Sequence, residues 1–334
     1  MSFSIGMDLG GSNLRAGAFR GPDDAAPAVS HREPVGEDRA PGAIVERVAA
    51  VVERLAEAAG AAAGVDAAAG AGPIPVGIGI AAMLRDERGT VARSPHLRWH
   101  DVPFGELLRA RLGPRFATGI YNDVNAVTWG EAVAGAARGC RDVLAVYVGT
   151  GIGGGVIAGG RLQTGVSNCA GEIGHVKVRW DDAAAPCNCG GRGCVEAYVG
   201  GSYLDRRIRH ELAGGRKRTS AIRIAGGIEH VTVAHVDLAA AEGDDWALGL
   251  WHELAPLLAV SLANALAVLN SERLVLGGGV LSRAPTLVSL TDIALQIVAP
   301  PPILEPLEVV MAELGDDAGV VGAARLAAAG ISVT

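Results

Sequence analysis

Lysine is almost missing from this sequence: of 29 basic residues only Lys177 and Lys217 are lysines, and no basic run tracks a phosphate backbone. The formal net charge of -7 and a pI near 5.6 exclude the footprint of a nucleic-acid binder. The first residues, Met1 to Asp8, lack a basic start, a long apolar stretch and a small-residue cleavage site, so no secretory signal is expected. The longest apolar run, Leu254 to Leu269, is interrupted by Pro256, Ser261 and Asn264. It falls short of the roughly 20 residues that span a bilayer, and a buried core helix is expected there. Disulfides are not expected either. The five cysteines are Cys140, Cys169, Cys187, Cys189 and Cys194, an odd set with three crowded together, unlike a secreted framework. These absences predict a soluble cytoplasmic protein with small-molecule partners, no nucleic acid and no membrane. A Walker A loop is excluded, because no Gly-Lys pair occurs.

What is present suits two lobes of ordinary size. The chain has 334 residues, 49% of them hydrophobic, enough for a sizeable core without cross-links. A strand over Phe3 to Met7 leads into the turn Asp8-Leu9-Gly10-Gly11-Ser12, and a second strand over Leu14 to Phe19 makes a hairpin. Apolar residues three to four apart predict helices over Ala43 to Ala63 and Phe104 to Leu112. Gly64 to Gly72 reads as a flexible joint before a strand at Pro75 to Ile80. A strand at Val143 to Val148 precedes the glycine-dense Gly149 to Gly155, with strand character resuming at Val156-Ile157. The two strand–glycine turn–strand units suggest a weak internal duplication. A helix over Ala247 to Asn270, a strand over Arg273 to Leu276 and a helix over Ala318 to Ala329 complete an α/β alternation.

Three glycine turns follow strands: Asp8 to Ser12, Gly149 to Gly154 and Gly277 to Gly279. Glycine lets backbone N–H groups approach phosphate oxygens unhindered, although each stretch alone also reads as an ordinary turn. A dinucleotide fold needs a helix straight after its glycines, and here Val156-Ile157 and Gly159-Gly160 follow instead. Asn122-Asp123 follows the β-like Gly119-Ile120-Tyr121. A carboxylate there is either a helix N-cap, which capping statistics favour, or a group placed to meet a bound hydroxyl. His175 with Cys187, Cys189 and Cys194, in the spacing C-x-C-x4-C among loop glycines, supplies four ligands for tetrahedral zinc. The bland alternative is three reduced cysteines beside an unrelated histidine. Cys140 and Cys169 read as buried thiols.

In these motifs the chain resembles the ROK family of sugar kinases and sugar-responsive repressors, and within it the bacterial glucokinase-like enzymes, from Ile5 to about Ala329. Asp8 to Ser12 and Gly149 to Gly154 look like the family's two phosphate motifs, and Leu276 to Val280 is similar to its adenosine-side turn. Ala170-Gly171-Glu172-Ile173-Gly174-His175 and Cys187 to Glu196 match the family signature, and Asn122-Asp123 its sugar and catalytic pair. The resemblance implies a two-lobed actin-like ATPase (ribonuclease H-like) fold with duplicated mixed sheets, holding ATP and sugar in the cleft between lobes. It implies a small lobe over 1–120, joined by a C-terminal helix near 318–334, and a large lobe over 121–317 bearing the zinc loop. It assigns Asp123 as general base, and Asn122, Asp123, Glu172, His175 and Glu196 to the sugar. It assigns Asp8, Gly10, Gly11, Ser12, Asn13, Gly149, Thr150, Gly151, Gly277, Gly278 and Gly279 to ATP with Mg²⁺. Structural Zn²⁺ falls to His175, Cys187, Cys189 and Cys194, and a homodimer or homotetramer is implied.

The chain departs from the family pattern at three places: Ser12 stands for a usual Thr, Ile80-Ala81-Ala82-Met83 for a frequent Pro-Gly, and His96 for a frequent Asn. The last two are expected beside the sugar and leave the choice of hexose open among glucose first, then N-acetylglucosamine, N-acetylmannosamine and fructose. The repressors of the family carry a helix-turn-helix ahead of the first phosphate motif. Only seven residues precede Asp8, so the kinase reading is the expected one.

Overall fold

The computed structural model describes residues 3–21, 24–63, 72–215 and 218–331. Thirteen strands occur among them: β1 (Ser4–Leu9), β2 (Asn13–Phe19), β3 (Val29–Pro34), β4 (Ile74–Ile80), β5 (Met83–Leu84), β6 (Val91–Ser94), β7 (Trp99–Val102), β8 (Phe116–Asn122), β9 (Val143–Val148), β10 (Ile152–Ala158), β11 (Arg161–Gln163), β12 (Arg273–Gly277) and β13 (Glu308–Met311). They form two five-stranded sheets of orders β3-β2-β1-β4-β8 and β11-β10-β9-β12-β13, and a small sheet β5-β6-β7. The two large sheets have the same order counted from their own first strand, which makes the duplication far stronger than the glycine turns alone suggest.

The chain divides into two compact units. The first comprises Met1–Arg141, Gly155–Ala170 and Ala312–Thr334, the second Asp142–Gly154 and Gly171–Met311. The first unit therefore runs past the expected limit at residue 120, and the reason is packing. The helix Asp123–Ala134 lies against the C-terminal helix Ala318–Ala328 so closely that a Cβ on Gly322 would sit 1.7 Å from the Ala126 carbonyl oxygen, and one on Gly130 2.3 Å from that of Ala318. Only hydrogen fits at this crossing. The same C-terminal helix presses on the sheet. Gly17, Gly6, Gly77 and Gly119 stand in register across β2, β1, β4 and β8, and a Cβ on Gly6 or Gly77 would meet the helix backbone within 2 Å. Residues 318–326 are all buried; the expected helical end at 332–334 lies outside the described residues.

The other face of β1 carries Ile5, Met7 and Leu9, which share one core with Ile44, Val48, Val51, Val52 and Leu55 from the helix Pro41–Ala63. Burying a side chain of this kind is worth about 1.5–3 kcal/mol. The flexible joint expected at 64–72 lies, except for its last residue, outside the described residues. In the second unit the helix Asp245–Leu269 is capped by Asp244, whose side chain accepts from the Ala247 N–H, and ends at Asn270 in the left-handed conformation. Among the described residues it is the one helix long and apolar enough to cross a membrane. Its Trp251, Leu254, Leu258, Leu262 and Leu266 are at most 1% exposed, as core packing demands. Two boundaries differ from expectation. Asp8 is still inside β1, so the first turn is only residues 10–12, and 152–155 are strand, so the second turn is Gly149-Thr150-Gly151.

Candidate active site

In the first unit, β1, β4 and β8 are parallel, and their carboxyl ends bring three expected segments to one sheet edge, the position where open α/β sheets bind ligands. Asp8 sits at the end of β1, directly opposite Arg15 on β2. The Arg15 Nη1 lies 3.1 Å from the Asp8 Oδ2, and its Nη2 3.0 Å from Asp316. Burial pushes the Asp8 carboxyl up, and Arg15 opposes that shift. Its other oxygen, Oδ1, has no protein hydrogen bond among the described residues. In the turn, the Gly10 N–H donates to the Asn13 carbonyl, and the carbonyls of Gly11 and Ser12 accept from the Arg39 guanidinium and the Val35 N–H. The N–H groups of Gly11 and Ser12 have no protein acceptor among the described residues. The His96 imidazole lies over this turn, since a Cβ on Gly11 would come 3.0 Å from its Nδ1.

Asn122 ends β8 opposite Ile80. It is Asn122, not Asp123, that caps the following helix, accepting from the Asn125 N–H at 3.0 Å. Its amide also donates to the Ala82 carbonyl at 3.2 Å and to the Asp123 carboxylate at 3.1 Å. The N-cap reading of Asp123 is therefore corrected. The Ala81 N–H donates to the Leu9 carbonyl, which ties Ile80-Ala81-Ala82 to the same edge.

In the second unit β12 lies parallel to both β9 and β13, and the other two glycine turns meet at the ends of β9 and β12. Gly278 has a φ of 88°, and a Cβ there would stand 2.5 Å from the Val148 carbonyl oxygen. Gly149 and Gly279 differ: a Cβ on either would meet nothing within 4 Å. Packing among the described residues does not require glycine at these two positions, and the space beside them is open, as a bound nucleotide requires. Glu196 closes the second turn, its Oε2 accepting from the Ile152 N–H at 2.8 Å.

The four expected metal ligands come together. One donor atom each from His175, Cys187, Cys189 and Cys194 lies within 4.8 Å of every other. The Cys189 and Cys194 sulfurs are 3.7 Å apart, and the Cys187 sulfur is 3.8 Å from the His175 Nδ1. The other ring nitrogen, Nε2, is 3.8 Å from a Glu172 oxygen. Burial pushes the Glu172 carboxyl up, with His175 opposing and Glu196 adding to the shift. Two tyrosines brace the loop: the Tyr198 and Tyr203 hydroxyls accept from the N–H groups of Ala185 at 2.8 Å and Asn188 at 2.7 Å. Cys140 and Cys169 are only partly buried, against the expectation of buried thiols, because both lie in loops.

Sequence reasoning passed over Arg15, Lys177, Tyr198 and Tyr203. Arg15 was readable: a hairpin that pairs Leu9 with Leu14 must set residue 8 opposite residue 15. Lys177 had only its rarity to mark it. The tyrosines carried no sequence signal, since their role depends on how the loop folds back.

A duplicated mixed sheet with glycine turns at the carboxyl ends of its central strands is the actin-like ATPase fold, and solved kinases of that fold match nearly the whole chain. The chain belongs to the ROK family, whose model matches residues 4–329. It is 31% identical to a glucokinase of Streptomyces coelicolor over 98% of both chains. It is 36% identical to a glucokinase of Thermotoga maritima over 75% of this chain and 78% of that one. Among solved structures, a ROK family glucokinase from Streptomyces griseus, in complex with glucose and AMPPNP, matches 98% of this chain and 100% of its own at a TM-score of 0.75 and 28% identity.

Proposed function

We propose that this protein is a cytoplasmic ATP-dependent hexose kinase that transfers the γ-phosphoryl group of ATP to a sugar hydroxyl, with glucose the preferred substrate. The observation that carries this reading is the sheet edge of the first unit, where Asn122-Asp123 and the turn 10–12 end parallel strands of one sheet. Family membership and the glucokinase relatives support it. Asp123 is the base that takes the hydroxyl proton as the oxygen attacks in line. Asn122, held by its bond to the Ala82 carbonyl, orients the sugar. Glu172, His175 and Glu196 are the second unit's sugar contacts, because carboxylates and imidazole read several hydroxyls at once. Gly10, Gly11, Ser12, Asn13, Gly149, Thr150 and Gly151 hold the phosphates through backbone and hydroxyl donors, and Gly277, Gly278 and Gly279 face the adenosine. Mg²⁺ bound with the nucleotide supplies neutralisation of the phosphate oxygens. Asp8, with its uncommitted Oδ1, is the carboxylate that fits the ion's water shell.

The cysteine–histidine cluster fits zinc. Bonds of about 2.3 Å at tetrahedral angles place two sulfurs about 3.8 Å apart, close to the separations described. Four protein donors fill the shell, so the metal is structural, fixing the loop between His175 and Glu196. Assembly as a homodimer or homotetramer belongs to the same reading.

A coupled assay of ATP turnover over a panel of hexoses tests it. Glucose should give the highest kcat/KM. A tenfold or greater preference for N-acetylmannosamine or fructose would overturn the substrate, and turnover of no hexose would overturn the kinase.

A further inference from the structure

Four groups that hold one zinc ion carry an unbalanced charge. Three thiolates and a neutral imidazole around Zn²⁺ sum to one net negative charge, which is costly beside the two carboxylates of this site. Glu196 approaches the Cys187 sulfur at 3.8 Å, and Glu172 approaches the His175 ring on its far side, so that flank adds only negative charge.

The opposite flank carries a cation. The Lys177 ammonium donates to the Cys194 sulfur at 2.9 Å, and Cys194 has no solvent exposure at all. The contact is built into the backbone, because Lys177 and Cys194 face each other in an antiparallel bridge. Room for the ammonium comes from Gly191: a Cβ there would stand 2.8 Å from the Lys177 Nζ and 3.5 Å from the Cys189 sulfur. The choice of residue is also informative. Lys177 is one of only two lysines among 29 basic residues, and a compact ammonium on a flexible stem reaches a single sulfur where a forked guanidinium is built to meet two oxygens.

We propose that Lys177 is the positioning residue that balances the charge of the metal centre: its ammonium neutralises the Cys194 thiolate and so sets how tightly the zinc is held. Partners of this outer kind contribute roughly 10–100-fold to metal affinity. The inference rests on the zinc reading above, and the test separates the two.

Zinc retention is measured on the purified full chain, without sugar or ATP, by competition with a chromophoric chelator. Lys177→Met should lose zinc at a roughly 10–100-fold lower chelator concentration than the parent, whereas Lys177→Arg, which keeps the charge but not the compact head, should fall between the two. Gly191→Ala should weaken retention in the same direction, because it displaces the ammonium and keeps its charge. Melting temperatures of the zinc-stripped parent and Lys177→Met should coincide, with a difference only in the zinc-loaded forms. Equal retention by Lys177→Met and the parent overturns the inference. So does a loss in Lys177→Arg as large as in Lys177→Met, or an equal drop in melting temperature without zinc. If Lys177→Met does not fold, undiminished retention in Gly191→Ala overturns it. A parent chain that binds no zinc is a distinct result, and it overturns the zinc reading itself.

Discussion

Each five-stranded sheet turns from its first strand to its second through glycines, β1 to β2 through residues 10–12 and β9 to β10 through 149–151. The two turns are finished differently. Beside the first, the strand ends carry side-chain chemistry: Asp8 with its Arg15 partner, and Asn122-Asp123 at the end of β8. Beside the second, the strand ends carry bare backbone, with Gly277 to Gly279 at the end of β12, and a carboxylate there, Glu196, comes from the start of the short helix that follows the cysteines. On the proposed function, the difference teaches that a duplicated scaffold divides its labour: one copy would supply the groups that react, and the other backbone donors and a loop that zinc would brace.

The largest effect should follow from removing the proposed base. Asp123→Asn keeps a side chain of the same shape, and Asn122 still caps the helix through the Asn125 N–H, so the fold should persist. An amide cannot take the hydroxyl proton, and kcat should fall at least about 100-fold with sugar and nucleotide KM little changed. Steady-state kinetics read this directly. A near-native kcat would erase the division of labour, since the first edge would then only hold.

The metal loop should respond in the opposite manner, through binding and stability and not through kcat. Cys189→Ser removes one of four converging donors, which should free His175 and Glu196 together. Sugar KM should rise by roughly tenfold, in the range of losses at metal shells, and the melting temperature should fall by at least about 5 °C. Elemental analysis should find about one zinc per parent chain. Full activity and an unchanged melting temperature in metal-free protein would show that the loop needs no brace.

The sequence made the first sheet edge legible because its elements are local. A strand ending in Asp8, a glycine turn and a hairpin partner are contiguous, and Asn122-Asp123 follows its own strand. The cysteine spacing was legible for the same reason. What stayed hidden depends on residues far apart in the chain. The first unit extends to Arg141 and takes back 312–334 because Gly130 meets Ala318 and Gly322 meets Ala126, a fit no window of sequence displays. Glu131 is similar: wholly buried, it accepts N–H groups from Ala136, Glu313 and Leu314, which joins the helix 123–134 to a segment more than 180 residues later. The small sheet β5-β6-β7 has strands of two to four residues, too short to carry a period.

The finest division lies between two glycines of the second edge. Gly278 is held at a φ of 88° with the end of β9 against it, so alanine there must bear left-handed strain and a clash with the Val148 carbonyl. Such strain costs of order 1–3 kcal/mol, and Gly278→Ala should lower the melting temperature whether or not nucleotide is present. Gly149 has ordinary φ and open space around its missing side chain. Gly149→Ala should leave stability within about 0.5 kcal/mol, as surface changes do, because among the described residues the added methyl meets nothing within 4 Å. What the methyl meets is the space assigned to phosphate, so the ATP KM should rise while the sugar KM holds. Thermal melts with and without ATP, beside nucleotide KM values, separate the two glycines. If Gly149→Ala is as destabilising as Gly278→Ala, or leaves the ATP KM unchanged, the bare backbone at Gly149 is there for folding and the second edge is not a cradle.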